Sequence, residues 1–224
     1  VLSGQKIIDR GEIVDQKAYN ILESLKYETQ KRSDSVSQKH QILVGHILLI
    51  AILIGCFMIY IELFRRDYYQ HKRSLSLLFL IVIFYCVITS LVENNFFSVY
   101  AIPYAMIPLI ITVFLDSRTA IVAHTITILI CSISVSYPPE IILLQLIAGM
   151  VGVYSLRELS QRSQLIKSAV VITLSYIFVF MSLELISESD VNSFNLSMYS
   201  YFAVNGIFLF LIYPLLFVLE KTFL

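Results

Sequence analysis

Charge is scarce in this sequence. Only 14% of its 224 residues are Asp, Glu, Lys or Arg, 58% are hydrophobic, and the mean hydropathy is +0.80. A soluble domain needs far more polar surface to cover itself, so the composition describes an integral membrane protein. The 16 cations and 16 anions cancel. No clustered basic excess remains to neutralise a phosphate backbone, which excludes nucleic acid as a partner. Cysteine is sparse, and Cys56, Cys86 and Cys131 each lie inside an apolar run. That is the placement of small membrane-facing or core residues; a disulfide framework or a metal site would space them differently. Glycine is also rare at seven residues, and only Gly149 and Gly152 form a close pair. This is too few for the Gly-rich setting of an intramembrane serine protease.

Catalytic signatures are missing as well. The chain has no HExxH, GxSxG, Walker loop or CxxC, so the usual zinc, serine-nucleophile, nucleotide and redox chemistries have no carrier. Two aspartates spaced for an intramembrane aspartyl protease are absent. A retinal-type Schiff base would need a lysine inside the last span, whereas Lys221 lies beyond its end. The sequence supplies no catalytic residue and no cofactor site of its own.

What is present is apolar runs. Ile42–Phe64 is interrupted only by His46 and Glu62; as a helix it would be about 34 Å long, enough to cross a hydrocarbon core of roughly 30 Å. Six further runs follow, Leu75–Val92, Tyr100–Leu115, Thr119–Val135, Ile141–Leu156, Ser168–Ile186 and Tyr199–Leu219. Several are shorter than the roughly 20 residues typical of a span. The expected fold is therefore an all-α integral membrane protein, a seven-transmembrane helix bundle. Pro103 and Pro108 should kink the third span, and Pro214 the seventh, because proline removes a backbone donor. All three are candidate hinges. Tyr and Phe gather at span ends such as Tyr60, Tyr68, Tyr69, Phe96, Phe97, Tyr100 and Tyr104, where interfacial anchoring accounts for them.

Residues 1–40 form the only long polar stretch. Gly4 and Gly11 bracket a strand-like Lys6–Asp9, Asp15 offers a helix cap, and Ala18, Ile21, Leu22 and Leu25 recur at helical spacing. This reads as a short extracellular α+β remnant, the tail of a domain lying upstream, with Glu28–Gln41 as a linker or an extension of the first membrane helix. Without an initiator Met or signal peptide, the chain reads as a piece of a longer protein. Arg65, Arg66, Lys72, Arg73, Arg118, Arg157, Arg162 and Lys167 occupy the loops after spans one, three and five. The other loops carry only acids such as Glu93, Glu140, Glu188 and Asp190. By the positive-inside rule the amino terminus is outside and the carboxyl terminus cytoplasmic.

Ionisable and amide groups at membrane depth are costly, which makes them candidate signal residues. They are His46, Glu62, Asp116, Arg118, His124 with Thr125, and Gln145. Each also has a plainer account. His46 can bond a neighbouring helix at the interface, Glu62 can pair with Arg65 or Arg66 one turn on, and His124 and Gln145 can join helices by hydrogen bonds. A proton path would need carboxylates across the membrane, and none is present.

Four stretches carry a resemblance. Gly4, Ile7, Gly11-Glu12-Ile13-Val14 and Leu22 form a G-x-x-I-x-x-x-G-E-x-V pattern before a helix. Ile102-Pro103 runs to a Leu115-Asp116-Ser117-Arg118 turn. Val153–Arg157 with Gln161-Arg162-Ser163 makes a basic loop, and Pro214-Leu215-Leu216 runs to Leu219-Glu220-Lys221-Thr222-Phe223. In this order they resemble the seven-transmembrane receptors with intracellular HD hydrolase, the membrane HD-type cyclic-di-AMP phosphodiesterases of bacteria. The resemblance implies an extracellular domain, seven spans and a cytoplasmic hydrolase whose divalent metal, Mn or Fe, is bound by residues downstream of this sequence. It implies a sensor and anchor in the bacterial inner membrane. Its partners would be the lipid bilayer, the parent's own extracellular and HD domains, a signal ligand of unknown identity and, in a homodimer, a second copy. The competing readings are a small transporter or permease subunit, which internal repeats would favour, and a membrane scaffold. No repeat is visible.

Overall fold

In the computed structural model, residues 7–8, 14–33, 36–93, 98–156, 164–187 and 196–223 are described. Among them the regular structure is entirely helical. The expected strand Lys6–Asp9 lies largely outside the described residues, and Ile7 and Ile8 carry no strand. The basic loop Arg157–Ser163 lies outside them too. The chain divides into two units, Val1–Ala51 and Ile52–Leu224.

In the first unit, α1 covers Gln16–Ser33. Asp15 starts it as expected of a cap, its Oδ1 accepting from the Ala18 N–H at 2.7 Å. Helix α2, Val36–Phe64, begins before the apolar run does, so residues 36–41 extend the membrane helix. His46 is exposed on it.

The second unit contains the end of α2, then α3 (Arg66–Gln70), α4 (Lys72–Glu93), a 3-10 turn at Val99–Ala101, α5 (Met106–Phe114), α6 (Ser117–Ser132), α7 (Pro138–Ser155), α8 (Gln164–Ser187), α9 (Leu196–Phe210) and α10 (Ile212–Phe223). One apolar core runs through it, built from residues such as Phe57, Leu78, Ile107, Ile128, Leu144, Ile172 and Phe202. Large apolar side chains also face outward, among them Ile83, Phe84, Leu174 and Phe178, all more than 40% exposed. That much exposed carbon suits contact with lipid and would be a liability in water.

Among the described residues five helices are long and apolar enough to cross a membrane, at Lys39–Phe64, Lys72–Glu93, Pro138–Ser155, Leu165–Ile186 and Ser197–Lys221. The expected third and fourth spans, Tyr100–Leu115 and Thr119–Val135, correspond to the shorter apolar segments Val99–Phe114 and Ser117–Ser132. Both are well buried. Helix α5 is enclosed at Met106 to Ile111, and α6 at residues including Ala120, Ala123 and Ile128.

The prolines act differently from simple kinks. Pro103 follows the 3-10 turn, and α5 starts afresh at Met106, so the third span is broken outright. Pro108, expected to kink that span, falls in the first turn of α5. The N–H it lacks would have no intrahelical partner there, so no kink follows. Pro214 has its effect one turn upstream. It cannot donate to the Phe210 carbonyl and its ring crowds that group. The helix therefore breaks at Leu211, whose N–H turns to Phe208 at 3.0 Å, and α10 restarts.

Candidate functional site

Polar side chains from four helices meet inside the second unit. His124 on α6 is 2% exposed, and Gln145 on α7, Tyr176 on α8 and Asn205 on α9 are each 0% exposed. Groups this deep need partners, because an unmade hydrogen bond away from water leaves the full desolvation cost. The His124 Nε2 lies 2.9 Å from the Gln145 carbonyl. A carbonyl only accepts, so Nε2 carries the proton and Nδ1 is the bare acceptor. The Tyr176 hydroxyl donates to Gln145 Oε1 at 2.6 Å. Phe202 stacks on the Tyr176 ring, with centroids 5.8 Å apart and planes 5° from parallel, and Asn205 follows one turn later on the same helix.

Asn205 closes the series. Its Nδ2 donates to the carbonyls of Tyr100 at 3.1 Å and Ile102 at 2.8 Å, the backbone groups that the Pro103 break leaves without helical partners. A second strand of polar contacts flanks this one. The Tyr85 hydroxyl donates to the Pro103 carbonyl at 3.0 Å, and Thr89 Oγ1 donates to the Tyr85 carbonyl at 2.7 Å and meets the Tyr104 hydroxyl. Broken backbone in the membrane thus gets its donors from Asn205 and Tyr85. His124 Nδ1, Gln145 Nε2 and Asn205 Oδ1 have no hydrogen-bond partner among the described residues.

This ladder is packed as tightly as it is bonded. A Cβ placed on Gly149 would lie 2.2 Å from His124 Nε2, and one on Gly206 would lie 2.6 Å from Thr173 Oγ1. Glycine at these two positions lets α6 approach α7, and α8 approach α9.

A second cluster sits at a turn outside the spans. Asp116 caps α6, accepting from the Arg118 N–H at 2.9 Å and the Thr119 N–H at 3.2 Å, and it pairs with Arg65. Tyr68 donates to its other oxygen at 3.3 Å. Partial burial works against the Asp116 charge. The Thr119 and Arg118 hydrogen bonds and the Arg65 guanidinium outweigh it, and the carboxyl is held below its usual range. The expected Glu62–Arg65 pair is therefore replaced: Arg65 crosses to Asp116, and Glu62 is exposed with no ion pair among the described residues. The Arg118 side chain is exposed. A lowered pKa makes Asp116 stabilising above its unfolded value of about 3.9, with the contribution lost as pH falls through the lower folded value. Asp116→Ala should cost about 1–2 kcal/mol at neutral pH through the lost cap and ion pair. The stability gap between the two proteins should narrow in denaturant titrations as pH falls through that lower folded value; a gap that does not change with pH would refute the ionic origin.

Of the residues expected to carry signal, the fold brings His124 and Gln145 together, and it places Asp116 with Arg65. His46, Glu62 and Arg118 contribute no side chain to either cluster. Tyr176 and Asn205 are not among the residues the sequence pattern singles out, although an asparagine in the middle of an apolar run is a signal of the same kind as Gln145. Glu93 accepts from the N–H of Ser136 at 3.1 Å, and the Tyr100 hydroxyl bonds Glu140, so the acidic turns also tie helices together. Among the described residues no group of three or more His, Cys, Asp or Glu is placed to hold a metal ion. The arrangement can couple helices, and what it offers chemically is hydrogen bonds between them.

No curated protein and no solved structure matches the chain. Residues 40–224 match the family model of the 7TM receptor with intracellular HD hydrolase, and the chain belongs to that family.

Proposed function

We propose that the chain is the membrane sensor and anchor of a bacterial HD-type phosphohydrolase, relaying a signal to a cytoplasmic cyclic-di-AMP phosphodiesterase domain of the same protein. The observation that carries this reading is the family match over residues 40–224. In it all seven apolar segments cross the inner membrane, the two short ones accommodated by local thinning or by their burial among the others. The amino terminus is outside and the carboxyl terminus inside, as the loop charges favour. The Mn or Fe ion belongs to the hydrolase domain, where it activates water when bound; residues of this chain position helices only. A homodimer is the working unit.

A relay needs two packings of the bundle that the signal binds unequally. The ladder from His124 to Asn205 supports that role, since it joins α6, α7, α8 and α9 and ends on the helix that leads into α10. The test is hydrolysis of cyclic-di-AMP by the full-length protein with manganese. Turnover is expected, and Asn205→Leu should change its rate at least severalfold although the hydrolase domain is untouched. Absence of turnover on this dinucleotide would remove the substrate assignment. An unchanged rate in the variant would remove the relay.

A further inference from the structure

A groove of about 430 Å³ runs between α4 and α10. Leu80, Phe84 and Ile88 line one wall and Leu211, Leu215 and Leu219 the other. Leu80, Phe84 and Ile88 fall at intervals of four on one face of α4 along roughly 12 Å, Leu215 and Leu219 share a face of α10 in the same way, and Leu211 is the break residue just before it. Leu80, Phe84 and Leu211 are about half exposed, within helices long and apolar enough to cross a membrane. The Tyr85 hydroxyl in the floor is already committed to the Pro103 carbonyl. Water would find no partner there, and hydrocarbon is the natural filling.

Charge decides which lipid. Arg73 lies seven residues before Leu80, two turns along the same face of α4, next to Lys72. Both are exposed in the first turn of the helix, which holds no acidic residue. Neither has an ion pair among the described residues. Two cations at the positive end of a helix dipole oppose it, and an anion at their level offsets both. The other end of α4 carries Glu93, which disfavours an anion there. We propose that the groove binds one acyl chain of an anionic phospholipid, with its headgroup at Lys72 and Arg73. This stands independently of the hydrolase reading.

The chain has no tryptophan, so Phe84→Trp supplies a single emitter in the groove, Ile88→Trp a second, and Val171→Trp a control on the exposed face of α8. Each is reconstituted in phosphatidylcholine vesicles doped with brominated phosphatidylglycerol or brominated phosphatidylcholine. The anionic quencher should act on the groove reporters at about fivefold lower mole fraction for each cation engaged. Arg73→Gln together with Lys72→Gln should abolish that preference, and both are exposed positions where packing is not at stake. Equal quenching by the two lipids, a preference surviving the double change, or the same preference at Val171→Trp would overturn the proposal.

Discussion

Gly149→Ala should destabilise the bundle by about 1–3 kcal/mol or more, the range for overpacking a filled core. The new Cβ would meet His124 at 2.2 and 2.4 Å, well inside contact distance. A flexible side chain could swing away, but His124 is 2% exposed and bonded to the Gln145 carbonyl. Moving it gives up that bond, and separating α6 from α7 opens the core. The effect should depend on the ring itself. In a His124→Ala background the same glycine change should cost much less, a coupling of about 0.5–3 kcal/mol. Unfolding in mixed detergent would measure all four proteins, and additive costs would show that the glycine is needed for some other reason.

Asn205→Leu keeps the volume close and removes both donors. The carbonyls of Tyr100 and Ile102 would then lose the Asn205 amide at the place where the third span is broken, and Ile102 would keep only the Tyr104 N–H at 2.9 Å. Interhelical hydrogen bonds in membrane proteins contribute about 0.6–1.7 kcal/mol each, so the two together predict a loss of roughly 1–3 kcal/mol. Asn205→Gln should not rescue it, because the longer side chain moves the amide past its fork of two carbonyls. Leucine without measurable loss of stability would mean that water reaches those carbonyls and the site is wet.

Much of the architecture follows from composition and periodicity. Low charge, apolar runs and the alternating loop cations point to a multi-pass helical membrane protein before any contact is known. The order of the Leu115–Arg118 turn and the Pro214–Phe223 close points to the family that the comparison returned. The helix-breaking effect of proline is local and equally readable in kind. Its location is another matter: Pro108 falls in a first turn, where its missing donor costs nothing, and Pro214 displaces the break to Leu211. Both outcomes depend on where a helix starts, which apolar pattern specifies loosely.

Partner choice is what only the tertiary structure decided. The sequence offers Glu62 a partner one turn away in Arg65 or Arg66, and in the fold Arg65 takes Asp116 instead. That carboxylate was already oriented by the α6 amides, so the pair formed around a fixed acceptor. His124, Gln145, Tyr176 and Asn205 are spread over α6 to α9, and nothing along the chain says that they adjoin. Helical pattern fixes which face a residue occupies; which faces meet depends on the shapes of whole helices and on two glycines that let backbones close in. Hydrophobicity therefore determined that the chain enters the membrane, while the polar ladder inside it arose from packing.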